Sequence, residues 1–475
     1  MENDNRLPLA ALLALVIGAA LRLPGLWTDL QLDEVWSIEN ASAAASWFDI
    51  LRLKIDNNHH LTSLYMHGLG PNAAAALYRV PAYVFGVATV PLAWLIASRD
   101  SRTTAIISAT LFATSAALVF YSSEARGYST VVFLTLAAWY CLQRYAESPK
   151  TSYLIGFAVT SVLGMMSHQT FAFFFLGAYI WCDAHMQRTG RLRDATRLTM
   201  RMFALPAVGI GIFAIVALAG QEIGGGPPFD IPLVLAQTLA VVSGGPQHGV
   251  GLWLVAAVSG SLVATALWAA YRSKDDRVFL YATAGVIAPT LIVLLRRPPT
   301  LAPRYFLVPA AVLLLAVSWL LARAIDRGGW RRVVAGALIT VHVIAGVWFT
   351  LSPNASRGGY RAALTHIVEQ SVGTPTVAST NRFGGGDWRT GMLVHYYARA
   401  IGAQGRLQYV SADKAAVEGA QWVIDEALDN APASQLIVDK HGRQYTMDRV
   451  YPAGPLSGIV WRVYRQHGSI AADKQ

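Results

Sequence analysis

Stretches of about 17 to 22 residues that are apolar on every side recur along the chain, and nothing else in it restricts the fold as strongly. A helix on the surface of a soluble protein keeps one polar face. These stretches keep none, and at 1.5 Å per residue they reach across roughly 30 Å of hydrocarbon. Only 14% of the residues are charged, against about 25% in soluble domains. We read eleven spans: 7–26, 78–97, 104–120, 128–143, 151–167, 169–185, 202–220, 250–271, 278–295, 304–322 and 333–350. The first is too long for the apolar core of a secretory signal, lacks a small-residue cleavage site and is followed by further spans.

The net charge of +10 does not indicate a nucleic-acid partner, because the basic residues sit mostly in short loops between spans. Their distribution sets the expected topology. With the N-terminus in the cytoplasm, every second loop is basic: Arg99 and Arg102; Arg144 and Lys150; Arg188 to Arg201; Arg272 to Arg277; Arg323 to Arg332. Three larger pieces then fall on the outer side: 27–77, 221–249 and everything after about Ser352. The middle one holds an apolar run, Ile231 to Val242, too short to cross and expected as an interfacial or re-entrant helix.

After residue 352 the apolar runs shorten and turn residues such as Gly384, Pro432, Pro452 and Pro455 appear. Short strand-like runs (Thr376 to Ala378, Gln421 to Ile424, Ile459 to Tyr464) alternate with helical ones (Arg361 to Gln370, Met392 to Ile401). The expectation is a polytopic α-helical membrane protein, with a transmembrane module over 1–352 and a small C-terminal α/β extracytoplasmic domain over 353–475. Cys141 and Cys182 both fall within spans, so no disulfide framework is indicated. The sequon at Asn354 is a three-residue match and carries no weight.

Function is sought where charges break the topology rule, since a charge beside apolar spans is costly without a partner or a task. Asp33 and Glu34, within Leu32-Asp33-Glu34-Val35-Trp36-Ser37, are either a solvated acidic loop or a general base for an acceptor hydroxyl. Asp56-Asn57-Asn58-His59-His60, with His67 further on, reads as a metal site or as histidines bonded to a substrate phosphate or hydroxyl. In Tyr121-Ser122-Ser123-Glu124-Ala125-Arg126-Gly127-Tyr128 the Glu and Arg pair with each other or face a ligand. Arg296, Arg297, Arg304 and Tyr305 sit in an outer loop against the positive-inside bias and call for an anion, for which a lipid phosphate suits the guanidinium fork. Arg22 and Arg79, near span ends, are expected to snorkel to headgroups. His168, between two spans, joins the substrate-binding candidates.

Carboxylates that activate a hydroxyl and arginines that hold a phosphate fit one chemistry: transfer of a sugar from a polyprenyl phosphate. Such a donor requires no metal or other cofactor, and no nucleotide-binding strand–GxGxxG–helix unit is visible. The motifs just quoted, with Pro303-Arg304-Tyr305 opening a late span, resemble those of the GT-C superfamily. The likeness is to bacterial members related to protein O-mannosyltransferases and to the aminoarabinose transferase of lipid A, and it covers the first span through about Pro309. It implies an inverting enzyme of the bacterial inner membrane that uses a polyprenyl-phosphate sugar and a lipid, glycan or protein acceptor. It also implies that Asp33 is the catalytic carboxylate, Glu34 its support, and Arg126 and Arg304 donor-phosphate contacts. His60 departs from the pattern, since many relatives have proline there. The rival readings are a transporter or lipid flippase, which would place charges near the bilayer midplane, and a non-catalytic assembly subunit.

Overall fold

The computed structural model describes residues 8–54, 57–189, 195–222, 229–296, 298–380, 388–427, 433–456 and 459–467. All eleven apolar segments are helical. Among the described residues, seven helices are long and apolar enough to cross a membrane. The other segments differ for local reasons. Thr151–Ser167 is shorter, Phe171–Arg188 ends in Asp183, His185 and Arg188, and Tyr128–Glu147 ends in Arg144 and Glu147. The segment expected at 104–120 is broken at Ser115 into Arg102–Thr114 and Ala116–Tyr121. The run Ile231–Val242 is a separate helix of 12 residues, capped by the Asp230 side chain on the Leu233 N–H. The protein is a multi-pass membrane protein.

The chain divides into two compact units, Met1–Leu26 with Ala41–Thr350, and Trp27–Asn40 with Leu351–Gln475. The expected outer loop 27–77 is therefore shared between them.

In the first unit the break at Ser115 frees carbonyls that a helix would otherwise use. Arg22 is fully buried and takes them, with Nη1 on Ala113 O (3.0 Å) and Nη2 on Phe112 O (2.9 Å). Its other donors reach Gly18 O (2.9 Å) and Ser122 Oγ (3.1 Å), and the His342 ring lies 3.3 Å from Leu111 O. Arg79 is equally buried, with Nη1 on Gly25 O (2.9 Å). Neither arginine snorkels, contrary to expectation: each finds main-chain carbonyls at a helix end inside the bundle, where a cation is favoured. Gly346 packs against the same break, because a Cβ there would run into the Thr114 carbonyl.

The second unit is a six-stranded mixed sheet with helices. Its strands are β1 (Thr376–Ser379), β2 (Gln408–Tyr409), β3 (Trp422–Ala427), β4 (Leu436–Val438), β5 (Gln444–Tyr451) and β6 (Val460–Gln466), in the order β2-β1-β3-β6-β5-β4. The β1–β2 and β1–β3 pairs are parallel and the rest antiparallel. Tyr360, Tyr397 and Trp461 form a buried aromatic centre, with ring centroids 4.8 to 5.7 Å apart. The segment Trp27–Asn40 is woven into this unit by polar contacts. Asp29 accepts the Arg361 N–H at the start of the Tyr360–Glu369 helix (2.9 Å), Tyr397 donates to Leu30 O (2.8 Å), and Arg399 pairs with Glu39 (2.5 Å).

Replacing Arg22 by Met should leave at least two carbonyls and the Ser122 hydroxyl without their donor, at about 1–3 kcal/mol each. Thermal unfolding in detergent should shift down clearly, with Arg22→Lys recovering part of the loss. An unchanged unfolding temperature would remove this guanidinium from the account of how the first helix is held.

Candidate functional site

The first unit builds a compact cluster from three turns. The turn after Tyr121 carries Glu124, Arg126 and Gly127 into the Tyr128–Glu147 helix; the turn after Ser167 carries His168; and His59 precedes the His60–Leu69 helix. The turns meet at Gly127, where a side chain would collide with the Ser167 carbonyl and sit 3.0 Å from His59 Nδ1. Ring centroids of His59, Tyr128 and His168 lie 4.8 to 5.0 Å from one another, and Tyr305 stacks on His168 at 6.0 Å. Tyr121 backs Tyr128 at 5.5 Å.

Hydrogen bonds hold both imidazoles in place. His59 Nε2 accepts from Arg126 Nε (2.9 Å), while its Nδ1 lies 3.1 Å from the Gly127 N–H donor and 3.2 Å from Ser167 O. His168 Nδ1 accepts the Thr170 N–H (3.2 Å) and lies 2.8 Å from the Thr170 hydroxyl. The Thr170 contacts leave the proton on Nε2. Burial, then the charges of Arg126 and Arg304, lowers the His168 pKa to about 3; burial, followed by Arg126, pushes His59 well below its usual value. Both rings are neutral at pH 7. His168 Nε2 and Tyr128 Oη are buried and have no partner among the described residues. The Arg126 guanidinium lies 5.1 Å from the Tyr128 ring centre and that of Arg304 5.6 Å from Tyr305. Two neutral donors and two cations thus meet in one place, with the buried Glu124 carboxylate in the same turn.

The same unit holds an apolar cavity of about 580 Å³, lined by Phe306, Leu235, Val258, Val286, Leu313 and Val341 among others. Phe306 belongs to the same buried group as Val293 and Leu301, on which Tyr305 packs.

In the second unit Asp33 and Glu34 open the Leu32–Ala43 helix. Glu34 is fully buried and accepts the Gln31 N–H (2.8 Å), satisfying one of the donors a helix start leaves over. Asp33 is half-buried, on the first turn, where the helix dipole favours a carboxylate. Trp36, one turn on, meets Trp388 at 4.9 Å.

No protein-family model and no curated protein sequence matches the chain. Solved structures do match. ArnT from Cupriavidus metallidurans in the apo state is 11% identical, with 98% of this chain and 99% of that one covered and a TM-score of 0.50. The same protein bound to undecaprenyl phosphate is 12% identical over the same shares, also at 0.50. The oligosaccharyltransferase of Archaeoglobus fulgidus, tethered with an acceptor peptide containing the NVT sequon, is 12% identical over 88% of this chain and 68% of that one, at 0.51. The chain has the GT-C fold.

Within this GT-C fold the residues expected from sequence divide. His59, Tyr121, Glu124, Arg126, Tyr128, His168, Arg304 and Tyr305 gather in the first unit, with Glu124 buried in the arginine turn. His60 turns away from the cluster, packing edge-on against Phe213 at 5.1 Å, and its pKa falls to about 4 through burial and Lys54. Arg296 is exposed at the end of its helix and does not touch the cluster; Arg297 and Asp56 lie outside the described residues. Among the described residues no group of three or more His, Cys, Asp or Glu is arranged to hold a metal ion. Gly127, Ser167 and Thr170 were not singled out from sequence. The Arg-Gly-Tyr run was the one available signal, a glycine between two ligand candidates.

Gly127→Ala should force the turn off the Ser167 carbonyl, an overpacking that costs about 1–3 kcal/mol. Thermal unfolding should register the loss, and full stability would show that the turns have room to part.

Proposed function

We propose that the protein is a glycosyltransferase that moves a sugar from a polyprenyl phosphate to an acceptor hydroxyl. The observation that carries this reading is the pair of buried, partnerless donors, His168 Nε2–H and Tyr128 O–H, beside Arg126 and Arg304. A buried donor left unsatisfied costs about 1–3 kcal/mol, and a phosphate oxygen removes that cost while meeting both cations. The apolar cavity lined by Phe306, next in sequence to Tyr305, suits an isoprenoid tail. The fold, shared with an ArnT structure that holds undecaprenyl phosphate, supports the same ligand class.

Transfer needs a leaving group made stable and a nucleophile made reactive. Arg126, Arg304, His168 and Tyr128 serve the first need: as the bond from the anomeric carbon to the phosphate oxygen breaks, that oxygen gains charge, and donors already in place stabilise it without reorganising. His59 fixes Arg126 through Nε and so holds the guanidinium beside His168 and Tyr128. Asp33 serves the second need. Its carboxylate takes the proton of the acceptor hydroxyl as the oxygen bonds to the anomeric carbon, and a single displacement of this kind inverts the configuration. Glu34, tied to the Gln31 N–H, shapes the turn and does not move a proton. Acceptor classes are lipid, glycan or protein, and the reaction lies on the outer face of the bacterial inner membrane.

Asp33→Asn should abolish transfer while lipid-phosphate binding and folding persist; near-normal turnover would end the base assignment. Arg304→Ala should weaken donor binding by about tenfold to a hundredfold, on the strength of a charged hydrogen bond. Unchanged donor affinity would take Arg304 out of the site.

A further inference from the structure

The two imidazoles of the anion site each have a carboxamide as chain neighbour: Asn58 precedes His59 and Gln169 follows His168. Gln169 Nε2 donates to Asn58 Oδ1 (3.1 Å) and to Gln221 Oε1 (2.7 Å). Gln221 Nε2 donates in turn to Asn57 O (2.6 Å). Asn57 is fixed by the Ser63 hydroxyl on its Oδ1 (2.8 Å) and by Ile50 O (3.3 Å) on its Nδ2. Three side-chain amides, of Asn58, Gln169 and Gln221, thus form a ribbon anchored on the Asn57 main-chain carbonyl. Gln169 Oε1 and Asn58 Nδ2 are left over, with no partner among the described residues, and both side chains are half-buried.

We propose that this ribbon is the sugar subsite and that it takes a neutral sugar; the proposal rests on the function given above. The sugar of a lipid-linked donor is bonded directly to the phosphate, so groups one residue away from the phosphate-facing His168 and from His59, whose ring lies 4.9 Å from it, are where sugar hydroxyls arrive. A hydroxyl both donates and accepts. A fixed amide oxygen beside a fixed amide nitrogen meets two such hydroxyls at little further cost in side-chain entropy. Among the described residues no carboxylate hydrogen-bonds the ribbon, so none of them is placed on it as a counter-charge for an amino sugar. Glu222, next to Gln221, is exposed, and Glu124 sits in the arginine turn. Lys54, the described cation near this loop, is held by Val216 O (3.2 Å) and Ala217 O (3.4 Å) in the π-helical turn Ala214–Leu218, so an acidic sugar gains no dedicated partner.

The test compares affinities of the purified full chain in nanodiscs for bare polyprenyl phosphate, a polyprenyl-phosphate hexose and a polyprenyl-phosphate amino sugar. The hexose lipid should bind about tenfold or more tightly than the bare lipid, the worth of one to two hydrogen bonds, and the amino-sugar lipid no more tightly than the bare one. Gln169→Ala and Asn58→Ala should each erase the hexose preference and leave both the bare-lipid affinity and the unfolding temperature in place. Equal loss for bare and loaded lipids would make the ribbon a clamp on the loop and overturn the proposal. So would a preference that survives both substitutions, or a preference for the amino sugar. Wild-type protein that binds bare and loaded lipids equally defeats the subsite alone, whereas wild-type protein that binds no lipid phosphate defeats the functional reading and the subsite with it.

Discussion

A polar group enclosed among apolar helices must find its partner inside the protein, and this constraint governs both the helix packing and the site of the first unit. The break at Ser115 would be costly if its carbonyls were left alone, and the buried Arg22 guanidinium meets two of them. His59 plays a matching part between Arg126 and the Ser167 carbonyl. Against this background His168 Nε2 and Tyr128 Oη stand out. Other buried polar atoms lack partners along the helices, among them Thr135 Oγ1 and Trp139 Nε1, but these two belong to rings in direct contact beside two arginines.

The two units carry different kinds of side chain. The first supplies cations and neutral donors, with an apolar cavity next to them in sequence at Phe306. The second carries the carboxylates on a short helix whose flanking chain is secured by Asp29, Tyr397 and Arg399. Asp33 and Glu34 are adjacent in sequence yet differ in setting. The buried Glu34 spends its carboxylate on the backbone, while Asp33 keeps partial exposure on the first turn.

The apolar segments were legible because a span apolar on all sides has no competing interpretation at that length. β1, β3 and β6 were legible for a similar reason, as short buried runs between turns. β5 was not: six of its eight residues are exposed or half-buried, so Gln444–Tyr451 carries no apolar alternation to read. Arg22 and Arg79 were misplaced at the surface, because proximity to a span end suggests snorkelling and only the fold reveals free carbonyls nearby. The histidine, tyrosine and arginine candidates were found by their chemistry. Arg296 was swept in with them by charge alone. Asn58 was quoted only as part of the histidine motif, and Gln169 and Gln221 gave no signal, since an uncharged amide between spans is unremarkable until the fold brings such amides together.

The most direct test of the central claim compares binding of polyprenyl phosphate with that of the matching uncharged polyprenol. Wild-type protein and a His168→Phe, Tyr128→Phe double variant would be measured side by side. The account predicts that the phosphate binds wild type at least about a hundredfold more tightly than the alcohol, given several charged and neutral hydrogen bonds. It also predicts that the double variant loses much of that advantage while its affinity for the alcohol stays constant. Equal binding of phosphate and alcohol by the wild-type protein would contradict it, because the buried donors would then have no anion to meet.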